Sequence, residues 1–285
     1  MKIELQPNKK IYFASDQHFG APTPELSKPR EAKFLAWLDE IKLDAQVLFL
    51  MGDLFDFWHE WKYVVPKGYV RILGKLAELK DNGIDIYFFV GNHDLWMKDY
   101  LEEEIGIPVF FEKQYYEIAM TNVQKDTSNN IGDNICPLKT NLSANEISGK
   151  NFLLAHGDGL GPGDKGYKRM KKLFTNPVAQ WFFKWLHPDI AMKVAIYFST
   201  KNKMISGVED MKFLGEEKEF LILYSKEKLK SEKIDYFVYG HRHLPMILDL
   251  KIDENEAKYV NLGDWISYFT YGVFDGVDFS IKTKK

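Results

Sequence analysis

An α/β layered fold is predicted by three features of the 285-residue sequence. Short apolar runs alternate with segments of helical periodicity through the first 91 positions. The runs are apolar at consecutive positions, as in strands buried on both faces, and helical crossovers between them imply parallel pairing. A hydrophobic content of 45% and an aromatic content of 15% are ample for the buried core such layers need.

The elements follow in order. The run "IYFAS" (11–15) reads as a strand, and Phe34, Leu35, Leu38 and Ile41 mark one face of a helix around 28–42. A second strand, "QVLFLMG" (46–52), leads to a helix near 67–81 and a third strand, "IDIYFFVG" (84–91). Together they form a βαβαβ opening. "VFFEKQYYEIAM" (109–120) has the look of antiparallel strand material, and 121–148, rich in Asn, Thr, Ser and Lys, reads as a surface insertion without an assigned role. "NFLLAHG" (151–157) is another buried strand, residues 164–230 are mostly helical, and "IDYFVYG" (234–240) follows. The tail from "MILDLKI" to "YFTYGVF" resembles a closing antiparallel meander. Without internal repeats or low-complexity linkers, the economical expectation is a single domain over 1–285 carrying a helical insertion at 164–230.

Charge and cysteine usage exclude several classes. A formal net charge of −3 gives no global pull toward nucleic acid or anionic membrane, so no nucleic-acid partner is expected. Cys136 is alone, which rules out an intrachain disulfide. The N-terminus lacks the apolar core of a signal peptide, and the most apolar stretch, 177–198, is broken by Lys184, His187, Asp189 and Lys193. A cytoplasmic protein is expected.

Five apolar runs end in metal-ligand residue types. They are "ASDQH" (Asp16, His18), "LMGDLFD" (Asp53, Asp56), "FVGNHD" (Asn92, His93, Asp94), "LLAHGD" (His156, Asp158) and "VYGHRH" (His241, His243). In open α/β sheets, ligands sit outside the carboxyl ends of the strands, so the five groups should converge on one rim. Five of the seven histidines lie there, while His59 and His187 do not. Each motif alone occurs by chance in many chains, but five in order, each capping an apolar run, outweigh a reading as satisfied core polar groups. Nitrogen and oxygen donors without thiolate suit Mn²⁺, Fe or Zn²⁺ in a two-metal site for phosphoryl displacement.

The order D-x-H, G-D-x-x-D, G-N-H-D, H-G-D, G-H-x-H resembles the calcineurin-like metallophosphoesterases across nearly the whole chain. The resemblance implies a four-layer α/β/β/α sandwich and a dinuclear centre, with Mn²⁺ the expected metal. One metal would take Asp16, His18, Asp53 and His243, and the other Asp53, Asn92, His156 and His241, with Asp53 bridging. His93 would face the substrate phosphate as general acid or charge stabiliser, oriented by Asp94.

The helical segment narrows the substrate. Its first half is basic (Lys165, Lys168, Arg169, Lys171, Lys172) and its second half aromatic (Trp181, Phe182, Phe183, Trp185, Tyr197, Phe198). An aromatic stripe is more often core, and a lysine run more often a solvated face. Here three consecutive aromatics exceed one helix face, so some must be exposed, pair with another chain or line a groove. A basic run beside an aromatic helix suits an amphiphile with an anionic head at a membrane surface. The phrase "HGDGLGPGDKGYKRMKKLF…NPVAQWFFKWL…FSTKNK" is similar to the UDP-2,3-diacylglucosamine pyrophosphohydrolases of lipid A synthesis. That likeness implies attack of a metal-bound hydroxide on the α-phosphorus, giving UMP and 2,3-diacylglucosamine 1-phosphate (lipid X). It also implies a nucleotide-sugar lipid substrate, peripheral contact with the cytoplasmic face of the inner membrane, and a helical lid over the acyl chains. Asp164 and Tyr167 would contact sugar and phosphate, and Asn202 and Lys203 lie in a polar run that matches the lid. Many members carry Arg where this chain has His93. A metal-dependent phosphodiesterase or phosphatase acting on another nucleotide or phosphoester is the alternative.

Overall fold

The computed structural model of the chain describes residues 1–121, 149–162, 165–206 and 212–285. The expected insertion at 121–148 therefore lies, beyond its first residue, outside the described residues.

Two six-stranded sheets pack face to face. The first has the order β12-β11-β2-β3-β4-β5. Its centre is the expected βαβαβ unit: β2 (Lys10–Ala14), β3 (Ala45–Leu50) and β4 (Asp85–Phe89) run parallel, joined through α1 (Pro24–Ile41) and α2 (Val70–Asp81). Beyond Lys10, Gln46 and Asp85 at or near their starts, these strands are continuously apolar because both faces are covered. Tyr12, Leu48, Leu50 and Phe88 meet Phe34, Trp37 and Leu76 of the helices, whereas Phe13, Phe49 and Phe89 turn to the other sheet. Thr23 starts α1 by accepting a hydrogen bond from the Leu26 amide at 3.3 Å, with Pro24 in the first turn, where it sacrifices no helical bond.

The second sheet has the order β1-β6-β7-β8-β10-β9, from β1 (Lys2–Leu5), β6 (Gln114–Met120), β7 (Lys150–Leu154), β8 (Tyr236–Tyr239), β9 (Met246–Ile252) and β10 (Asn255–Asn261). Its inner face contributes Phe152, Val238 and Val260 to the core between the sheets. Its outer face buries Phe237, Tyr239 and Tyr259 against Leu221, Ile222 and Leu229 of α7 (Phe220–Leu229). Helix, sheet, sheet, helix is the four-layer α/β/β/α sandwich.

Two sequence expectations are corrected by the pairing. The segment 109–120 is not one antiparallel unit. β5 (Val109–Phe110) joins β4 in parallel, and the chain then crosses to the second sheet, where β6 pairs β1 in parallel and β7 antiparallel. The tail is two hairpins in different sheets: β9–β10 in the second, and β11 (Thr270–Phe274) with β12 (Phe279–Thr283) in the first. Between β7 and α7, three helices, α4 (Lys165–Phe174), α5 (Pro177–Lys184) and α6 (Pro188–Ser206), stand outside the four layers. Asn176 caps α5, accepting from the Val178 amide at 2.8 Å. No helix among the described residues is long and apolar enough to cross a membrane.

Candidate metal centre

The five strand ends meet, and they come from both sheets. β2, β3 and β4 of the first deliver Asp16, His18, Asp53 and Asn92–Asp94, and β7 and β8 of the second deliver His156, His241 and His243. The strands must stop abruptly to present these side chains. Asp16, His18, Asp53, His241 and His243 all have φ between 45° and 67°, the left-handed region that costs non-glycine residues energy and concentrates at functional sites. Two glycines of the motifs are required by close approach. A Cβ on Gly91 would collide with the Asp53 carboxylate, and one on Gly240 with Ser15 and Asp16.

Around Asp53, donors crowd at distances that do not make hydrogen bonds. Its Oδ2 lies 3.6 Å from His18 Nε2 and 3.5 Å from His156 Nε2. On Asp16, Oδ1 lies 3.7 Å from His18 Nε2 and 3.4 Å from His243 Nε2. His156 Nε2 and His241 Nδ1 are 3.2 and 2.9 Å from Asn92 Oδ1. Metal–donor bonds near 2.0–2.2 Å put neighbouring donors of a shared ion roughly 3.0–3.4 Å apart, close to these spacings. Asp16 Oδ1 and both nitrogens of His18 are buried without a hydrogen-bond partner, an arrangement that is costly unless a cation completes it.

Tautomers are set from behind. The Nδ1–H of His156 donates to the Met51 carbonyl at 2.8 Å, and His243 Nδ1 lies 3.2 Å from Asp264 Oδ2. Each ring thereby turns an Nε2 lone pair toward a carboxylate, which is the form a metal takes and a repulsive one without a cation. The electrostatics agree. Burial alone would raise the Asp53 carboxyl, yet the imidazoles of His156, His93 and His18 hold it well below the carboxylate range. Burial would lower His156, but the Asp53 carboxylate raises it to about 10. The residues present therefore fit a divalent metal pair. Among the described residues three clusters could hold an ion: Asp16 with His18 and His243, Asp16 with Asp53 and His156, and His18 with Asp56 and His93.

His93 sits at the edge of the cluster, its side chain 17% exposed against 1% for His18. Its amide donates to Asp53 Oδ1 at 2.8 Å, and its Nδ1–H donates to the Asp56 carbonyl at 2.9 Å. The expected orienting role of Asp94 is corrected here. The Asp94 carboxylate is taken up by the amides of Gly91 at 2.6 Å and Leu54 at 3.1 Å, so it fixes the loops carrying Asn92 and Asp53. Asp56 holds His93 instead and also lies 3.6 Å from His18 Nδ1.

Of the substrate-contact candidates, Asp164 lies outside the described residues, as do the side chains of Tyr167, Asn202 and Lys203. Sequence reasoning missed Asp264 and the Arg242–Glu219 pair. Asp264 ends the run "YVNLG" after β10 and carried the same apolar-run-then-carboxylate signal as the other five. Arg242 donates from Nε and an Nη to the two oxygens of buried Glu219 at 3.0 Å, anchoring the His241–His243 loop to the start of α7; the 23-residue separation left no local signal.

Comparison with known proteins decides the family. Residues 9–245 match the calcineurin-like phosphoesterase family. The chain is a calcineurin-like phosphoesterase. As a member of that family with this donor set, it is a metal-dependent hydrolase. It is 37% identical over 281 residues to the UDP-2,3-diacylglucosamine hydrolase of Porphyromonas gingivalis, covering 94% of each chain. It is 24% identical over 267 residues to the protein of the same name from Edwardsiella ictaluri, covering 93% of this chain and 87% of that one.

Proposed function

We propose that this phosphoesterase cleaves the pyrophosphate of UDP-2,3-diacylglucosamine to UMP and lipid X, with Mn²⁺ as the metal. The near-full-length similarity to a relative named for that substrate carries the reading. The exposed face of α5 and α6 supports it: Trp181, Phe182, Trp185 and Ile190 are 54–74% exposed, an apolar patch rimmed by lysines and suited to acyl chains at a membrane surface. We place the lid at α4–α6, with α7 in the sandwich, and peripheral contact with the inner membrane at the α5–α6 face.

Asp16, His18, Asp53 and His243 would hold one ion, and Asp53, Asn92, His156 and His241 the other. When bound, such a pair supplies Lewis-acid stabilisation of phosphoryl oxygens and lowers the pKa of water. The chain's own residues do the rest. Asp53, pinned by the His93 amide, keeps one oxygen toward His18 and His156. His93, its Nδ1 proton engaged by the Asp56 carbonyl, holds or delivers a proton at Nε2 to the phosphate or the departing oxygen. The four layers exclude water from behind the centre.

The test is a product assay with purified protein and Mn²⁺ on UDP-2,3-diacylglucosamine, with UDP-N-acetylglucosamine beside it. UMP released only from the diacylated substrate is the expected outcome. Cleavage of neither, with activity on a simple chromogenic diester, would return the substrate to unknown.

A further inference from the structure

Beside the metal centre, on its His156 side, a cavity of about 350 Å³ opens between the rims of the two sheets and α4. That is within the range of small-molecule sites. Its floor is apolar, formed by Phe89, Phe110 and Ala155. One wall is Lys168, Lys171 and Lys172 of α4, with Thr175 just beyond its end. The three lysines, at i, i+3 and i+4, form a single face of the helix, so this part of the basic run faces the cavity. The opposite wall is the turn between β5 and β6, with Phe111, Glu112 and Lys113.

Two properties define what fits. Four lysines face two carboxylates, Asp158 and Glu112, leaving an excess of positive charge. Lys171 is spent on Asp158 at 2.6 Å, and Lys168 donates to the Gly161 carbonyl at 2.7 Å, which fixes both stems along the wall. Phe111 is 52% exposed at the cavity edge, unusual for a residue type that is mostly buried. Such a lining suits an anionic ligand with a flat group able to stack on an aromatic ring. Acyl chains do not suit a lysine wall and have the apolar α5–α6 face instead. The cavity also touches the chemistry: His156 lines it, and His156 Nε2 is 3.5 Å from Asp53.

We propose that this cavity binds the nucleoside monophosphate half of the substrate, with Lys113 and Lys172 on its phosphate and ribose and Phe111 against the base. The assignment rests on the reading of the substrate as a UDP-linked lipid. It separates the two halves of that substrate, with the nucleotide by β5 and α4 and the lipid at the exposed α5–α6 face. It also makes Lys113, Lys172 and Phe111 determinants of nucleotide specificity.

The experiment measures UMP binding to the Mn²⁺-loaded protein by calorimetry, alongside kcat and KM on UDP-2,3-diacylglucosamine. Wild type, Phe111→Ala and the double variant Lys113→Ala/Lys172→Ala are compared, with metal content and Tm as checks on folding. The expected result is a rise in UMP Kd and substrate KM of about tenfold or more in each variant, with a smaller change in kcat and wild-type metal content. UMP affinity indifferent to both changes, or no UMP binding by wild type, overturns the assignment. Lipid cleavage with indifferent UMP affinity sinks the subsite and leaves the substrate reading standing. UMP binding that depends on the lysines and Phe111 without lipid cleavage upholds the subsite and sinks the substrate reading.

Discussion

His59 gives a pH dependence that can be worked from the structure. It is 1% exposed, and neither ring nitrogen has a hydrogen-bond partner. Its ring packs edge-on against Trp61 at 4.4 Å, Trp96 at 5.1 Å and Phe183 of α5 at 5.2 Å. Burial, then the charges of Lys98 and Lys184, lowers its pKa to about 4. The folded protein thus holds His59 neutral, while the unfolded chain protonates it near 6.5. Its contribution to stability is intact above pH 6.5, falls as the pH drops below that value, and stops changing below about 4. The loss at pH 5 is about 2 kcal/mol, and about 3 kcal/mol at full extent. The assay is urea unfolding of metal-free wild type and His59→Phe at pH 7.5 and 5.0, followed by tryptophan fluorescence. Other titrating groups cancel in the comparison. Wild type should lose about 2 kcal/mol more than the variant between the two pH values. Equal losses would refute the claim that His59 is held neutral beneath α5.

Three further outcomes test the metal centre. Asp53→Ala should abolish turnover and most bound metal, because Asp53 is the carboxylate both ions would share; two-metal occupancy read by plasma mass spectrometry would contradict the ligand map. His93→Ala should keep its metal and lose about 10²–10⁴-fold in the chemical step, read by single-turnover kinetics. Asp264→Ala frees the His243 ring and should weaken metal affinity about 10–100-fold with near-normal kcat at saturating metal, read by metal titration of activity.

The legibility of the sequence followed from how each element is buried. β2, β3 and β4 were readable because each lies between two layers and is apolar at nearly every position. β1, "KIEL", was not read, since it is an edge strand alternating exposed and buried positions around Lys2 and Glu4. Sheet membership was hidden for a different reason. Both sheets present the same apolar rhythm to the shared core, so nothing local says that β6 leaves the sheet β5 has just joined. At the site, histidine made the motifs visible, being rare in the chain and concentrated at strand ends. Asp56 was legible as part of G-D-x-x-D, whereas Asp264, which acts through His243, followed its apolar run without a histidine or second carboxylate beside it. Asp94 kept its place in the cluster but not its expected partner, because proximity in sequence to His93 says nothing about which amides its carboxylate meets in the fold.

The crowding at the rim has a thermodynamic consequence. Five left-handed residues, a histidine with two unpartnered nitrogens and an unpartnered Asp16 oxygen coexist there. Asp16, Asp53 and Asp94 are all buried, and the Asp53 charge, after burial itself, helps to raise the Asp94 carboxyl. The metal-free fold carries this cost, and a cation that pairs these donors only in the native state must therefore stabilise it. At a metal concentration 100 times Kd the gain is about 2.7 kcal/mol. For a chain of 285 residues that is a rise in Tm of roughly 4–5 °C. Adding Mn²⁺ should produce this shift in calorimetry, and a chelator should reverse it. Asp53→Asn separates the two contributions. It should lose most of the Mn²⁺ shift, and in chelator its Tm should fall below that of wild type, because the imidazoles of His156, His93 and His18 lose the carboxylate charge they face. A variant that keeps the Mn²⁺ shift would mean that Asp53 does not hold the cation.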